Sequence, residues 1–537
     1  MNKKIPSWLK ELKYQVRDSA VHYGLNISRG DDLDNEIIFE TLFFDEMNRI
    51  AAKGGFPNRY PHWKWAMEGE ALRKLYSYGL QKIYEMVINN KPYYAYLLDS
   101  NSPVDQKLVM AHVMGHIDFF RTNACFRAFS SKNMVDEMAN HGMRVSRYIS
   151  KYGEEKVISF IDTCLSLKNL IDIHSLTFKR LSNIENTKEK EKEEKYPVKF
   201  FDDERRKEYM DDFLNPPEKM EKERQKIETE KEVLKKIELG QKIPEEPEQD
   251  IMHFLMEYAP LELWQIDILY IIRAESYYFA PQAQTKIMNE GWAAYWHSKI
   301  LTSNDKLDKY QSRRTLPPLL NDSEVVDYAD HHSGTMSVNP ANINPYKLGI
   351  ELWRHIEERW NKGKFGKDWN NCLDNGSYED RTNWDKDLGL GREKIFEVRK
   401  IYSDVSFIDE FLDEEFIERQ KFFIYFYHKE RKRYEIASRN PKYIKETLLF
   451  NLTNLGQPDI RVIDANYKNR GELYCFHKPV SIDLHKPKVM ELRFDHMMTV
   501  LQKTYEIWQR PVHLETQFNN TRKMFSWNGE KFSEANV

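Results

Sequence analysis

Residues 108–120 read LVMAHVMGHIDFF, and this apolar run contains two histidines, His112 and His116, four positions apart. Helix start signals precede the run, because Ser102 is a favourable N-cap, a proline follows it, and Asp105 stands three residues after the cap. Residues four apart lie on one face of a helix, so we expect the two imidazoles one above the other. Such a pair can bind one metal ion.

The stretch before this helix, Pro92–Asp99 (PYYAYLLD), predicts a short aromatic strand. A strand, a tight connection and a helix carrying H-x-x-x-H are the arrangement of zinc-peptidase catalytic domains. In H-E-x-x-H enzymes, a glutamate after the first histidine activates the water on the zinc. The residue at that position here is Val113, which cannot accept a proton.

The bulk composition narrows the function classes. The chain has 537 residues, 41% hydrophobic and 13% aromatic, which is enough for packed cores in about two to four domains. Its net charge of −4, from 81 basic and 85 acidic residues, argues against nucleic-acid binding through phosphate contacts. The four cysteines form no C-x-x-C pair, which argues against a disulfide framework and a thiolate zinc site. Without a signal-peptide core or a long apolar stretch, we expect a cytoplasmic protein with no membrane span.

Helical periodicity predicts helices over residues 5–26, Ile37–Ala52 and Gly69–Asn90. Between the last two lies a segment rich in Gly, Pro and aromatic residues, GGFPNRYPHWKW, which cannot form a regular element. It contains Arg59 and His62. These two residues either form the wall of a pocket or pack within a structural loop, and the sequence leaves both possibilities open.

The composition changes between residues 185 and 250, where charges of both signs are interspersed and apolar residues are sparse. We expect a solvated helical or disordered insertion there, in preference to a partner-binding coiled coil. Order returns in residues 251–280, which predict a helix, and Pro281 is expected to open the next one. From about residue 395 the pattern changes to short alternations around one helix, which indicates a small α+β domain.

The helix expected after Pro281 contains QTKIMNEGWAAYWHSKIL and is apolar on nearly every face, so it should be buried. A buried glutamate needs a partner or a metal, which makes Glu290 the candidate third ligand beside His112 and His116. Two histidines and one carboxylate form an open, catalytic-type zinc site. The alternative is that hydrogen bonds satisfy both histidines while Glu290 pairs with Arg273 or Lys286.

If the protein is a hydrolase, another group must replace the glutamate that is absent at position 113. Glu275 is the first candidate for the catalytic base because it precedes the Glu290 helix, although it could instead be a solvated helix end or pair with Arg273. His297 is the second, because it lies two turns after Glu290 on the same face and could be a base or a ligand. Asp118 and Asn289 are candidates for supporting the ligands or lining the pocket.

We therefore predict a mainly α protein with a small mixed sheet, built as a zincin-like helical core plus a small α+β C-terminal domain. The predicted segments are an N-terminal helical region with the strand and histidine helix (1–184), a charged insertion (185–250), a helical region completing the core (251–394) and the C-terminal domain (395–537).

Several segments resemble the SpoVR family, named for stage V sporulation protein R. The resemblance covers nearly the whole chain apart from the charged insertion. The matching segments are HW at His62–Trp63, KIYEMVIN at Lys82–Asn89, AHVMGHIDFF at Ala111–Phe120, QTKIMNEGWAAYWH at Gln284–His297, INPYKLG at Ile343–Gly349 and GREKIFEVRKIYSDVSF at Gly391–Phe407.

The resemblance implies a role in spore cortex formation or stress physiology, with a PrkA-type serine kinase and a von Willebrand factor A-like protein as partners. It implies no particular reaction, and the valine at position 113 matches the family pattern. Two functions stay open. One is an atypical metal-dependent hydrolase of amides, with zinc as the first choice of divalent metal. The other is a non-catalytic scaffold or regulator with a degenerate peptidase fold.

Overall fold

The computed structural model describes residues 5–28, 33–77, 83–129, 133–175, 242–302, 318–336, 343–478, 487–518 and 521–537. Nearly all of the predicted charged insertion, 185–250, lies outside these residues. The chain divides into two compact units that interleave in sequence. The first unit comprises Met1–Arg147 and Pro281–Thr453, and the second comprises Tyr148–Ala280 and Asn454–Val537. The segment boundaries expected from the sequence at 184, 250 and 394 stay a prediction.

The described residues are mainly helical, with short strands. The α-helices are α1 Ser7–His22, α2 Leu33–Glu36, α3 Phe44–Ala52, α4 Trp63–Ser77, α5 Pro103–Thr122, α6 Met134–Tyr152, α7 Glu154–Leu167, α8 Ile251–Tyr258, α9 Leu263–Gln284, α10 Lys286–Thr302, α11 Asp322–Thr335, α12 Pro345–Asn361, α13 Gly366–Asn375, α14 Tyr378–Thr382, α15 Gly391–Ile401, α16 Asp404–Phe411, α17 Glu414–Gln420, α18 Pro441–Leu452 and α19 Pro487–Trp508. Short 3₁₀ helices span Ala124–Phe129 and Thr453–Gly456. The strands are β1 Ile37–Leu42, β2 Glu85–Ile88, β3 Tyr93–Leu98, β4 Ile424–His428, β5 Arg433–Ser438, β6 Asp459–Tyr467, β7 Glu472–Lys478, β8 Val512–Phe518, β9 Thr521–Trp527 and β10 Phe532–Asn536.

The histidine helix, α5, begins where the sequence predicts. The Ser102 hydroxyl accepts a hydrogen bond from the Asp105 N–H at 3.1 Å, and the Asp105 carboxylate accepts one from the Ser102 N–H at 3.3 Å. This reciprocal capping satisfies two of the N–H groups that a helix start leaves unpaired. All residues from Leu108 to Phe120 are buried, so the helix lies at the centre of the first unit.

A small mixed sheet of order β1–β3–β2 stands before the histidine helix. Strand β3 confirms the aromatic strand predicted over Pro92–Asp99, and it pairs with β1 in parallel and with β2 antiparallel. The helix predicted over Ile37–Ala52 is wrong in its first half, because Ile37–Leu42 alternates buried and half-buried side chains as strand β1. The helix predicted over Gly69–Asn90 is also wrong in part, because Glu85–Ile88 forms β2. Pairing with β3 overrides the local helical periodicity in both places.

The glutamate helix, α10, packs between the histidine helix and α12, and small residues bring the three backbones close together. A Cβ on Gly115 would lie 2.6 Å from the Cα of Ala293, so the histidine and glutamate helices cross at these two residues. On the other side, a Cβ on Gly291 would lie 2.3 Å from the carbonyl carbon of Gly349 in α12. The backbones approach so closely that a residue with a Cβ would not fit at Gly115 or Gly291. These two contacts therefore fix the position of Glu290 along the axis of its helix.

The predicted start of the glutamate helix at Pro281 is wrong. Pro281 lies inside α9, which continues to Gln284, and α10 begins at Lys286. The N-terminus of α10 is anchored by the buried Asp404 of α16, whose carboxylate accepts the N–H groups of Ile287 at 2.8 Å and Met288 at 2.9 Å. A carboxylate at this position satisfies helix-start donors that have no partner within the helix.

The second unit contains a five-stranded sheet of order β10–β9–β8–β7–β6. Strands β7 and β8 are parallel and are connected through α19, while the other neighbours are antiparallel. Helix α19 packs against β8 and β9, so the strands and helix expected in the C-terminal part of the chain are present. Within the described residues, no helix is long and apolar enough to cross a bilayer.

Candidate metal centre

The structure brings together the three predicted ligands, His112 and His116 of the histidine helix and Glu290 of the glutamate helix. Their ligand atoms all lie within 4.8 Å of one another. The Nε2 atoms of both histidines lie 3.5 Å from Glu290 Oε2, which is too long for a good hydrogen bond. Within the described part of the chain, His112 Nε2 and Glu290 Oε2 are buried atoms without a hydrogen-bond partner.

The two nitrogen-to-oxygen separations match what a shared zinc ion requires. Zinc binds imidazole nitrogen and carboxylate oxygen at about 2.0–2.2 Å, so two ligands at a tetrahedral angle lie about 3.4 Å apart. The 3.5 Å separations between imidazole nitrogen and carboxylate oxygen therefore fit a shared ion better than a direct ion pair. Leaving two such atoms buried without a partner costs free energy, and a cation between them would remove that cost.

The remaining ring nitrogens of both histidines are occupied by neighbours from the glutamate helix. His116 Nδ1 lies 3.0 Å from Asn289 Oδ1, and because an amide oxygen only accepts, this nitrogen must carry the proton. His112 Nδ1 lies 3.0 Å from Nδ1 of His297. Both contacts direct the opposite nitrogen, Nε2, toward Glu290. Partners of this kind are typical of metal-binding histidines.

The pKa values of the site groups are shifted strongly. Burial and, to a smaller extent, the adjacent His112 lower the pKa of His116 to about 4, while Glu290 opposes the shift. Burial alone would raise the pKa of Glu290, but the approach of His112 and the charges of the two histidines outweigh it and hold the pKa at about 2. The site therefore contains a neutral imidazole and an ionised carboxylate at neutral pH, which are the protonation states that bind a metal.

Two groups at the centre were not predicted from the sequence. The Tyr346 ring stacks on His112 with centroids 6.1 Å apart, and burial together with its hydrogen bond to Glu290 raises the pKa of its hydroxyl. His332 of α11 approaches His297, with 3.5 Å between its Nδ1 and His297 Nε2. Tyr346 lies within the INPYKLG segment that supports the family resemblance, and this match was the sequence signal that could have identified it. The sequence around His332 contains no comparable signal.

Asp118 supports the centre from a distance. Its carboxylate accepts the Asn26 N–H at 2.6 Å, the Trp292 indole N–H at 2.8 Å and a hydrogen bond from Arg399. Burial raises the pKa of Asp118, while Arg399 counteracts the shift. Trp292 stands two residues after Glu290, so Asp118 acts by holding the glutamate helix in place and makes its bonds on the side away from the ligands.

The other predicted residues lie in different surroundings. Arg59 stacks on Trp65 at 4.3 Å, and Nδ1 of the buried His62 accepts the Lys64 N–H at 3.2 Å, so both belong to an aromatic cluster around Trp65. Glu275 is buried in α9 and belongs to the second unit, whereas the three ligands belong to the first. Its role as a base stays a prediction.

Comparisons with known proteins agree with the sequence motifs. The model of a family described as "SpoVR like protein" matches residues 5–457. A relative from Escherichia coli (strain K12), named uncharacterized protein YcgB, is 28% identical over 528 residues, covering 95% of this chain and 93% of the relative. No solved structure matches the chain.

Proposed function

The chain belongs to the SpoVR-like protein family, and from that premise we propose that it binds one divalent metal ion, zinc first, through His112, His116 and Glu290. One observation supports this most directly: imidazole nitrogens of two buried histidines lie 3.5 Å from one buried carboxylate oxygen. Asn289 and His297 orient the imidazoles, and Asp118 holds the helix that carries the carboxylate. A zincin-like core is part of the same proposal.

When bound, such an ion supplies Lewis-acid polarisation of a carbonyl and lowers the pKa of a coordinated water. The protein's own contribution is to hold two imidazoles and one carboxylate close together in a buried site. Val113 is fully buried, so it neither accepts a proton nor faces solvent. An atypical metallohydrolase acting on an amide therefore needs its proton acceptor from elsewhere, and we propose Glu275 first and His297 second.

The base assignment is tested by separating metal binding from turnover. Glu275→Gln should retain the metal and lose about 10²–10⁴-fold in hydrolysis of amide substrates such as peptides or peptidoglycan fragments. His297→Gln should lower both hydrolysis and metal binding, since His297 contacts the proposed ligand His112. Unchanged hydrolysis in the Glu275 variant would remove Glu275 from the proposal.

A second function is favoured by the valine at position 113 and by the composition of the centre. Among the described residues, Glu290 is the single carboxylate in the group that could hold a metal, and the proposal uses it as a ligand, which leaves no carboxylate of that group to act as a base. A metal that only stabilises the fold would suit a scaffold or regulator. By family resemblance, we propose that such a protein acts in spore-cortex or stress physiology with a PrkA-type serine kinase and a von Willebrand factor A-like protein.

Metal analysis by mass spectrometry tests the shared premise of both functions. Protein purified after expression in metal-replete medium should contain about one equivalent of metal, while His116→Ala and Glu290→Ala should each lose it and melt at a lower temperature. His253→Ala is the matched control, because His253 is half-exposed and pairs with Glu257 in the second unit. Less than about a tenth of an equivalent in the wild type would refute the metal site.

A further inference from the structure

A cavity of about 260 Å³ lies in the first unit between α12, α17, α18 and the segment that follows α17. Its inner wall is apolar. The buried side chains on that wall are Leu348, Phe416, Ile444 and Leu448. None of its lining residues is a ligand of the proposed metal centre, so the cavity is a separate feature of the fold.

The polar lining of this cavity is electrostatically positive. Lys421 is exposed and Lys347 is half-buried, and among the described residues neither ammonium group has a hydrogen-bond or ion-pair partner. The lining carboxylate, Glu351, is neutralised, because Arg354 donates to one of its oxygens at 2.8 Å and Gln420 donates to the other at 2.8 Å. The lining of an apolar space thus includes two cations that have no partner among the residues the structure describes.

We propose that this cavity binds a single-chain amphiphile with an anionic head, of the class of a medium-chain fatty-acid anion. The chain lies against Leu348, Phe416 and Leu448, and the carboxylate is bound by Lys347 and Lys421. A volume of 260 Å³ holds about nine methylene groups if each is taken to be as large as a water molecule, whose share of liquid volume is about 30 Å³. A longer chain leaves its end in water.

Helix α12 lines this cavity and also contacts the proposed metal centre. This helix carries Lys347 and Leu348 on the cavity, Tyr346 beside Glu290, and Gly349 at the crossing with the glutamate helix. A ligand in the cavity therefore contacts residues adjacent in sequence to those that contact the centre. Binding of the amphiphile does not require the metal, so the two proposals can fail independently.

Isothermal titration of the full chain with a series of n-alkanoates tests the proposal, below their micelle concentrations. Affinity should rise about fourfold for each added methylene and level off at about nine carbons. Decanol should bind at least tenfold more weakly than decanoate, because the lysines add charge-assisted hydrogen bonds. The Lys347→Ala/Lys421→Ala double variant should weaken decanoate about tenfold and leave decanol unchanged.

Lys362→Ala is the matched control, since this lysine caps the same helix but pairs with Glu358 at 2.7 Å, and it should bind decanoate as the wild type does. Leu448→Trp should fill the cavity and abolish binding, and a circular dichroism spectrum checks that it is folded. Equal affinity for decanoate and decanol, or no affinity for any alkanoate, would overturn the proposal. So would binding to anionic phospholipid vesicles without binding to free decanoate.

Discussion

Replacing Gly291 by alanine should damage both the fold and the metal centre. The added Cβ would lie 2.3 Å from the carbonyl carbon of Gly349, whereas ordinary contacts begin at 3.4 Å, so the two helices must separate by about 1 Å. Overpacking of this kind costs about 1–3 kcal/mol, and the higher helix propensity of alanine returns about 1 kcal/mol. We expect a net loss of up to about 2 kcal/mol in the free energy of unfolding.

The same displacement moves Glu290, which is adjacent in sequence to Gly291. Functional groups must stay within about 0.5 Å of their working geometry, so zinc affinity should fall by about 10–100-fold. Urea unfolding of the metal-free protein measures the first effect, and competition with a chromogenic chelator measures the second. Gly69→Ala is the control, because its Cβ would meet Ala52 at an ordinary 3.6 Å. If the Gly291→Ala protein is as stable as the control and binds zinc with the same affinity, the argument from the close crossing of the two helices is refuted.

Further substitutions probe the supports of the centre. Asp118→Asn should lower the free energy of unfolding by about 3–5 kcal/mol in urea titrations, because it leaves the buried Arg399 without its counter-charge. Asn289→Leu should lower the free energy of unfolding of the metal-free protein by about 1–3 kcal/mol, because it leaves the buried His116 Nδ1–H without its acceptor. It should also weaken zinc binding by about 10–100-fold, measured by chelator competition. Burial raises the pKa of Asp404 from 3.8 to about 7, so the native state holds the proton more tightly than the unfolded state. The contribution of Asp404 to stability is therefore full below about pH 4 and decreases as pH rises to about 7. In urea titrations across that range, Asp404→Asn should abolish this decrease. An identical dependence of the free energy of unfolding on pH in both proteins would contradict the raised pKa of Asp404.

Local signals predicted the histidine helix well. Its cap, Ser102 with Asp105, and its apolar run are properties of neighbouring residues, and the structure reproduces both. Glu290 was identifiable because a carboxylate on a helix that is apolar on nearly every face needs a partner. The structure places it 3.5 Å from both imidazoles.

Long-range pairing accounts for what the sequence did not reveal. Ile37–Leu42 becomes a strand because it pairs in parallel with Tyr93–Leu98, 56 residues further along the chain, and such a distant partner gives no local sequence signal. The crossing of Gly291 with Gly349 is equally non-local, and each glycine by itself indicates only a weak helix position. Tyr346 reaches the centre through that same crossing, so its place could not be derived from spacing.

Proline at position 281 misled the boundary prediction for a physical reason. Proline favours a first helical turn, which is why it was expected to open the glutamate helix. In the structure it lies inside α9, and the start of α10 is instead defined by Asp404, which accepts the N–H groups of Ile287 and Met288. That carboxylate is more than a hundred residues further along the chain.

X-ray absorption spectroscopy of the zinc-loaded protein tests the central claim most directly. The account predicts a shell of nitrogen and oxygen atoms at about 2.0–2.2 Å that includes two imidazoles, and loss of one imidazole in His116→Ala. A sulfur ligand at about 2.3 Å, or a shell unchanged in both His116→Ala and Glu290→Ala, would contradict it.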